Sequence, residues 1–236
     1  MSPRTRKPER RAEALTREGI IETAVELLDA AGEGGLTFRV LTERLATGAG
    51  AIYWHVANKG ELLAAATDAV VTTALANEPA ETSDSPQSGI HAIALGLFNA
   101  TVEHPWLATQ LATQLSRNPG GPVTPRIFEG VGRQVCALGV PKNAWFTATS
   151  ALVHYILGTV GQHAANTAHA RTLGPDVDRA EYLDAASTAW EQFDADGDSF
   201  LRAVADQARS HDDREQFLAG LDFLLAGITA LHPPTT

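Results

Sequence analysis

Apolar residues return every three to four positions through most of the chain, and no β-branched run alternates strictly with polar ones. Ile20, Ile21, Ala24, Val25, Leu27, Leu28 and Ala31 form one such stripe, with Glu22, Glu26 and Asp29 on the opposite face. The stripe predicts a helix from Glu18 to Ala31, with a partial cap at Thr16 and a stop at Gly32, Gly34 and Gly35. Thr37 then stands as N-cap before FRVLTERLA, where Val40, Leu41, Arg44 and Leu45 keep the helical spacing. A tight break at Thr47-Gly48 precedes the very short segment AIYWHV, and Asn58 caps a helix from Lys59 to about Ala76. The polar, Pro- and Ser-rich stretch 77–89 predicts a loop. Further helices are predicted over Ile90–Glu103, Pro105–Ser116, Pro125–Leu138, Lys142 to about Ala170, Glu181–Phe193 and Ser199–Arg209. In the last, Phe217, Leu221, Leu224, Ile228 and Leu231 step by 4, 3, 4 and 3. The chain is expected to be all-α, with nine or ten helices.

Composition supports a large core, since 44% of the 236 residues are hydrophobic. The single cysteine, Cys136, excludes an internal disulfide, and no apolar run approaches the ~20 residues that span a bilayer. A soluble, cytoplasmic protein is expected. The net charge of −10 is unevenly placed. Residues 1–60 hold 9 Lys+Arg against 8 Asp+Glu, whereas the remainder holds 9 against 20. Arg4, Arg6, Lys7, Arg10 and Arg11 make a basic arm over residues 1–14. Such an asymmetry suits an anion-binding head on an acidic body, or a solvated tail.

Helix, glycine break, helix, tight turn and very short helix is the order of a helix-turn-helix head, placed at residues 15–63. Ala49, Gly50 and Ala51 give the short helix a flat leading edge that can lie against base edges and thymine methyls. Tyr53 and Lys59 are expected on phosphates, and Arg39 on a base or phosphate. The helix N-terminus behind Asn58 is a further anion site. His55 stays open between core and contact. Trp54 is expected in the core, because an indole is costly to expose. A generic helical bundle would share the periodicity, so spacing alone does not decide for DNA.

The stretch LTREGIIETAVELLDAAGEGGLTFRVLTERLATGAGAIYWHVANKGELL, residues 15–63, resembles the DNA-binding domain of the TetR (tetracycline repressor) family of bacterial transcription regulators. GGLTFRVLTERLA and AIYWHVANKGELL carry the likeness most specifically. The resemblance implies DNA-contact positions at Thr37, Arg39, Ala49, Gly50, Ala51, Tyr53, His55 and Lys59. It implies a dimeric, ligand-responsive regulator, a repressor released from a pseudo-palindromic operator by a small molecule; a DNA-binding regulator without a small ligand, controlled by a protein or acting as an activator, is the alternative. Residues 64–236 then form the ligand-binding and dimerisation body. In the family's founding member an acidic residue faces a magnesium–drug chelate where this chain has Gln162, so chelated tetracycline is not the expected effector.

Within the body, SALVHYILGTVGQHAANTA carries small residues that admit a neighbouring helix, and QFLAGLDFLLAGITAL carries an apolar stripe. Gly158, Gly161 and Ala165 are expected to meet Leu221, Leu224 and Ile228 in a four-helix interface between two protomers. Phe98, Trp106, Gln110, Gln114, Phe128, Trp145, Phe146, Thr149 and Tyr155 are candidates for a small-molecule pocket, although each aromatic, taken singly, is more often plain core. His91, His104, His154, His163 and His169 make no compact ligand spacing with carboxylates, so no metal or other cofactor is expected. No nucleophile–base arrangement suggests an enzyme. DADGDS at 194–199 resembles the start of a calcium loop, but its glycine falls at the wrong position and Ala205 stands where the last ligand is needed.

Overall fold

The computed structural model describes residues 15–77, 84–172, 179–192 and 200–233. The basic arm and the DADGDS stretch lie outside the described residues. The described residues form eleven α-helices and a short 3₁₀ turn. They run as α1 (Arg17–Gly35), α2 (Phe38–Arg44), α3 (Ala49–Tyr53), α4 (Lys59–Asn77), α5 (Pro86–Glu103), α6 (Leu107–Arg117) and α7 (Val123–Ala137). After the 3₁₀ turn Lys142–Ala144 come α8 (Trp145–Thr172), α9 (Arg179–Gln192), α10 (Phe200–Ser210) and α11 (Asp213–Leu231). The chain divides into two compact units after Ala66.

In the first unit, Thr16 caps α1 by accepting from the Gly19 amide at 3.1 Å. Gly32 breaks α1 with a φ of 61°. Thr37 accepts from Val40 N at 3.2 Å, and Leu36 and Leu41 on either side of that cap are both buried, the positions of a hydrophobic staple. Ile20, Ala24 and Leu28 of α1 join Leu41, Ile52, Val56 and Leu62 in one small core. Arg44 on α2 reaches Glu26 on α1 at 3.3 Å.

The turn between α2 and α3 closes with Thr47 N donating to the Thr42 carbonyl at 3.1 Å. Ala46 pays for this tightness by taking a φ of 50°, in the left-handed region. Ala46→Gly is therefore expected to stabilise the protein by about 0.5–1 kcal/mol, the strain relieved less the entropy glycine adds to the unfolded chain. Denaturant unfolding checks this; a fall in the midpoint would show that the alanine conformation carries no strain.

In the second unit, α5, α7, α8 and α11 pack together and α6 closes one side against α7 and α8. α5 begins at Pro86, ahead of its apolar period, because Ser85 caps it and a proline suits the first turn. Asp212 caps α11 through Glu215 N at 2.8 Å. Two glycines mark close approaches. A Cβ on Gly89 would lie 2.7 Å from the Gln134 side chain, and one on Gly220 would lie 2.0 Å from the Tyr155 hydroxyl. α9 and α10 pack chiefly on each other, with Arg209 pairing to Asp184, Glu191 and Asp206.

Candidate nucleic-acid interface and sensor body

α3 is five residues long, and Ile52 alone on it is buried. Ala49, Gly50 and Ala51 are exposed, and a Cβ added at Gly50 would meet nothing within 4 Å. The Tyr53 ring stacks on Phe38 of α2, centroids 4.7 Å apart and planes 9° from parallel, and remains 53% exposed. This stack fixes where the phenol points. Trp54, expected in the core, is instead 87% exposed at the end of α3. The core beneath it is already filled by Ile52 and Val56, so the indole has no room inward. Sequence reasoning missed Trp54 as a contact candidate. The usable signal was its place directly after Tyr53, on the turn that ends the reading helix.

The cations of the described head are all engaged within the protein. Arg39 lies 3.6 Å from Glu43, Arg44 pairs with Glu26, and Arg17 lies 4.0 Å from Glu61. Lys59 Nζ donates to the Glu33 carbonyl at 2.5 Å, tying the start of α4 to the end of α1. Thr37 likewise serves as a cap while its side chain stays at the surface. Asn58 accepts from Glu61 N at 2.9 Å and Glu61 accepts from Ala57 N at 2.8 Å. A carboxylate thus already occupies the helix terminus expected to take a phosphate. Lys59→Ala is expected to cost about 1 kcal/mol of stability, one hydrogen bond from a charged donor, besides any phosphate contact. Thermal unfolding without DNA measures this; an unchanged midpoint would return Lys59 to a purely DNA-facing role.

The body candidates fall into separate groups. Phe98 is buried and sits between His163, 4.7 Å away, and Phe217, 5.3 Å away. Tyr155 also stacks on Phe217, at 6.0 Å, and donates its hydroxyl to the Phe217 carbonyl at 2.9 Å. Burial pushes the Tyr155 phenol above its ordinary range, and the Thr159 side chain offsets part of this. Phe98 and Tyr155 therefore serve the seam of α5, α8 and α11. Trp106, the N-cap of α6, is buried, as are Gln110 and Gln114 on α6 and Thr149 on α8. Phe128 stacks on Phe146 at 6.4 Å, and Trp145 donates to the Val140 carbonyl at 2.6 Å, both near the start of α8.

The expected interface splits too. Leu221 is fully buried inside its own protomer with Phe217 and Leu225, so it belongs to the core and not to an interface. Leu224 and Ile228 are half-buried, while Phe223 and Leu231 project outward. On α8, Gly158 and Ala165 are exposed and Gly161 is partly so, with open space at both glycines. Gln162 is exposed and bonds Asn166 at 2.8 Å. Among the described residues no helix is long and apolar enough to cross a membrane.

A short exposed helix presented by a helix-turn-helix, followed by a larger helical body, defines a DNA-binding regulator of transcription. Residues 20–66 match the bacterial regulatory proteins of the tetR family, and residues 78–232 match the tetracyclin repressor-like C-terminal domain. The chain belongs to the TetR family of transcriptional regulators. An HTH-type transcriptional regulator of Saccharopolyspora erythraea is 30% identical over 231 residues, covering 96% of this chain and 90% of that one. The tetracycline repressor protein class C of Escherichia coli is 29% identical over 162 residues, 69% of this chain and 72% of the other. A solved TetR transcriptional regulator from Streptomyces coelicolor is 64% identical, with a TM-score of 0.83 over 92% of this chain and 99% of that chain.

Proposed function

We propose that the protein is a homodimeric, cytoplasmic repressor that holds a pseudo-palindromic operator and is released from it by a small molecule. The exposed face of α3, flanked by Arg39 and backed by the Phe38–Tyr53 stack, is the observation that carries this reading. Ala49, Gly50, Ala51, Tyr53, Trp54 and His55 would meet the major groove. Arg39 would leave Glu43 for a base edge or phosphate. A relative named as a tetracycline repressor supports repression and ligand release. The effector is expected to be largely uncharged, because Gln110, Gln114 and Thr149, the buried polar candidates on α6 and α8, are all neutral. Catalysis is no part of this reading.

A gel shift of the full chain on the DNA upstream of its own coding region, with and without a metabolite library, tests it. Retardation of a defined duplex, reversed by a library member, is the expected result. No retardation of any specific duplex would remove the reading.

Because the described head cations are engaged internally, the arm should carry most of the salt dependence. Residues 1–14 hold five Lys and Arg. Their removal is expected to lower the slope of log affinity against log salt by up to ~4.5 per protomer, at ~0.9 per phosphate. Binding titrations from low to moderate salt decide this, and an unchanged slope would make the arm a solvated tail.

A further inference from the structure

The side chains that α3 offers to DNA can hardly form hydrogen bonds with bases. From Gly48 to Trp54 the chain reads GAGAIYW, with no amide, guanidinium or carboxylate. Bidentate reading of guanine or adenine needs such groups, so α3 cannot distinguish those bases by donors and acceptors of its own side chains. What it presents is chiefly apolar: the methyls of Ala49 and Ala51 and, at its C-cap, the indole of Trp54, 87% exposed, whose one polar group is a single N–H donor. The stack of Tyr53 on Phe38 turns a second ring toward the same end of the helix. Open space at Gly50 lets the backbone approach a base pair closely.

We infer that α3 recognises its half-site through thymine 5-methyl groups, so that the base pairs it faces are A·T pairs. This rests on the operator-binding reading above. The thymine methyl is the apolar feature of the major groove, and it meets an apolar surface without loss. A G·C pair in the same place carries as many polar groups on its edge as an A·T pair, but it has no methyl for the alanines and the indole to cover. Discrimination therefore comes from the methyl that is covered, and it is lost where cytosine replaces thymine. Arg39 stands on α2, so any guanine contact it makes comes from outside α3.

The test begins with selection of duplexes from a random pool by the full-length protein. In the enriched duplex each thymine is then replaced singly by uracil, which removes the 5-methyl group and leaves the base-pairing edge intact. Affinity is expected to fall about fourfold at each methyl that α3 covers. Trp54→Ala should erase the thymine–uracil difference at one of those positions while leaving the unfolding midpoint unchanged, because the indole packs little against the protein. An enriched duplex that tolerates uracil at every position overturns the inference and leaves operator binding intact. So does enrichment of G·C pairs at the positions that footprint beneath α3. Failure to enrich any sequence overturns the operator-binding reading, and this inference with it.

Discussion

Replacing Phe223 and Leu224 together by Glu should yield a folded monomer that no longer holds its operator. Phe223 is 80% exposed on α11 and Leu224 is half-buried, so the protomer's own core loses little. In the proposed dimer these side chains face the partner, where covering each contributes roughly 2–3 kcal/mol. A carboxylate there would be stripped of water. The monomer would keep one half-site and lose the other, and specific affinity should drop by at least ~10³, toward the non-specific level. Sedimentation and a gel shift on the same sample decide the matter. A dimer that still binds operator would place the interface elsewhere. Leu221→Glu should behave differently, unfolding the protomer, since that side chain lies wholly inside it.

Gly220→Ala should destabilise the protein by about 3 kcal/mol, combining overpacking with a strained hydrogen bond. The new methyl would lie 2.0 Å from the Tyr155 hydroxyl and 2.7 Å from its ring carbon. The phenol cannot step aside freely: it donates to the Phe217 carbonyl, and its ring stacks in series with Phe217 and Phe98. The sign is informative, because in an uncrowded helix the same change would stabilise by ~1 kcal/mol. The midpoint of thermal unfolding is expected to fall by about 6–12 °C. Adding Tyr155→Phe removes the clashing oxygen and should recover part of that loss. A midpoint at or above the parent's would mean that the ring stack yields easily.

The helical order, the caps at Thr37 and Asn58 and the glycine break at Gly32 were all legible in the sequence. Each rests on local chemistry within a few residues. What failed was any judgement needing to know what covers a side chain. Trp54 looks like core by size alone, yet the hollow under α3 is filled by Ile52 and Val56. α11 is apolar on more than one side, with Phe217, Leu221 and Leu225 inward and Phe223 and Leu231 outward. A step of 4, 3, 4 and 3 cannot separate the two faces, which is how Leu221 was assigned to an interface. The tie from Lys59 to the Glu33 carbonyl joins positions 26 residues apart and leaves no trace in any period. Among the body aromatics, composition could not sort the stack of Phe98, Phe217 and Tyr155, or the exposed Phe146, from residues free to meet a ligand.

The emptiness of the leading edge of α3 also bears on how this regulator can change over evolutionary time. Added side chains at Gly48 and Gly50 would meet nothing, and Ala49 and Ala51 are already exposed. The fold places no demand on these positions beyond an extended cap at Gly48 and helical backbone from Ala49 to Ala51. A Gln or Arg introduced there by a single codon change would arrive in a folded protein, free to acquire a hydrogen-bonded preference for a new base. In many proteins a gain in specificity is entangled with a loss of stability, because the contact residues are also packing residues. Here the two are carried by different side chains: Ile52 and Val56 hold the helix in place, and their neighbours are left to drift. Such an arrangement lets duplicated copies of the gene diverge quickly in the promoters they control while remaining equally foldable.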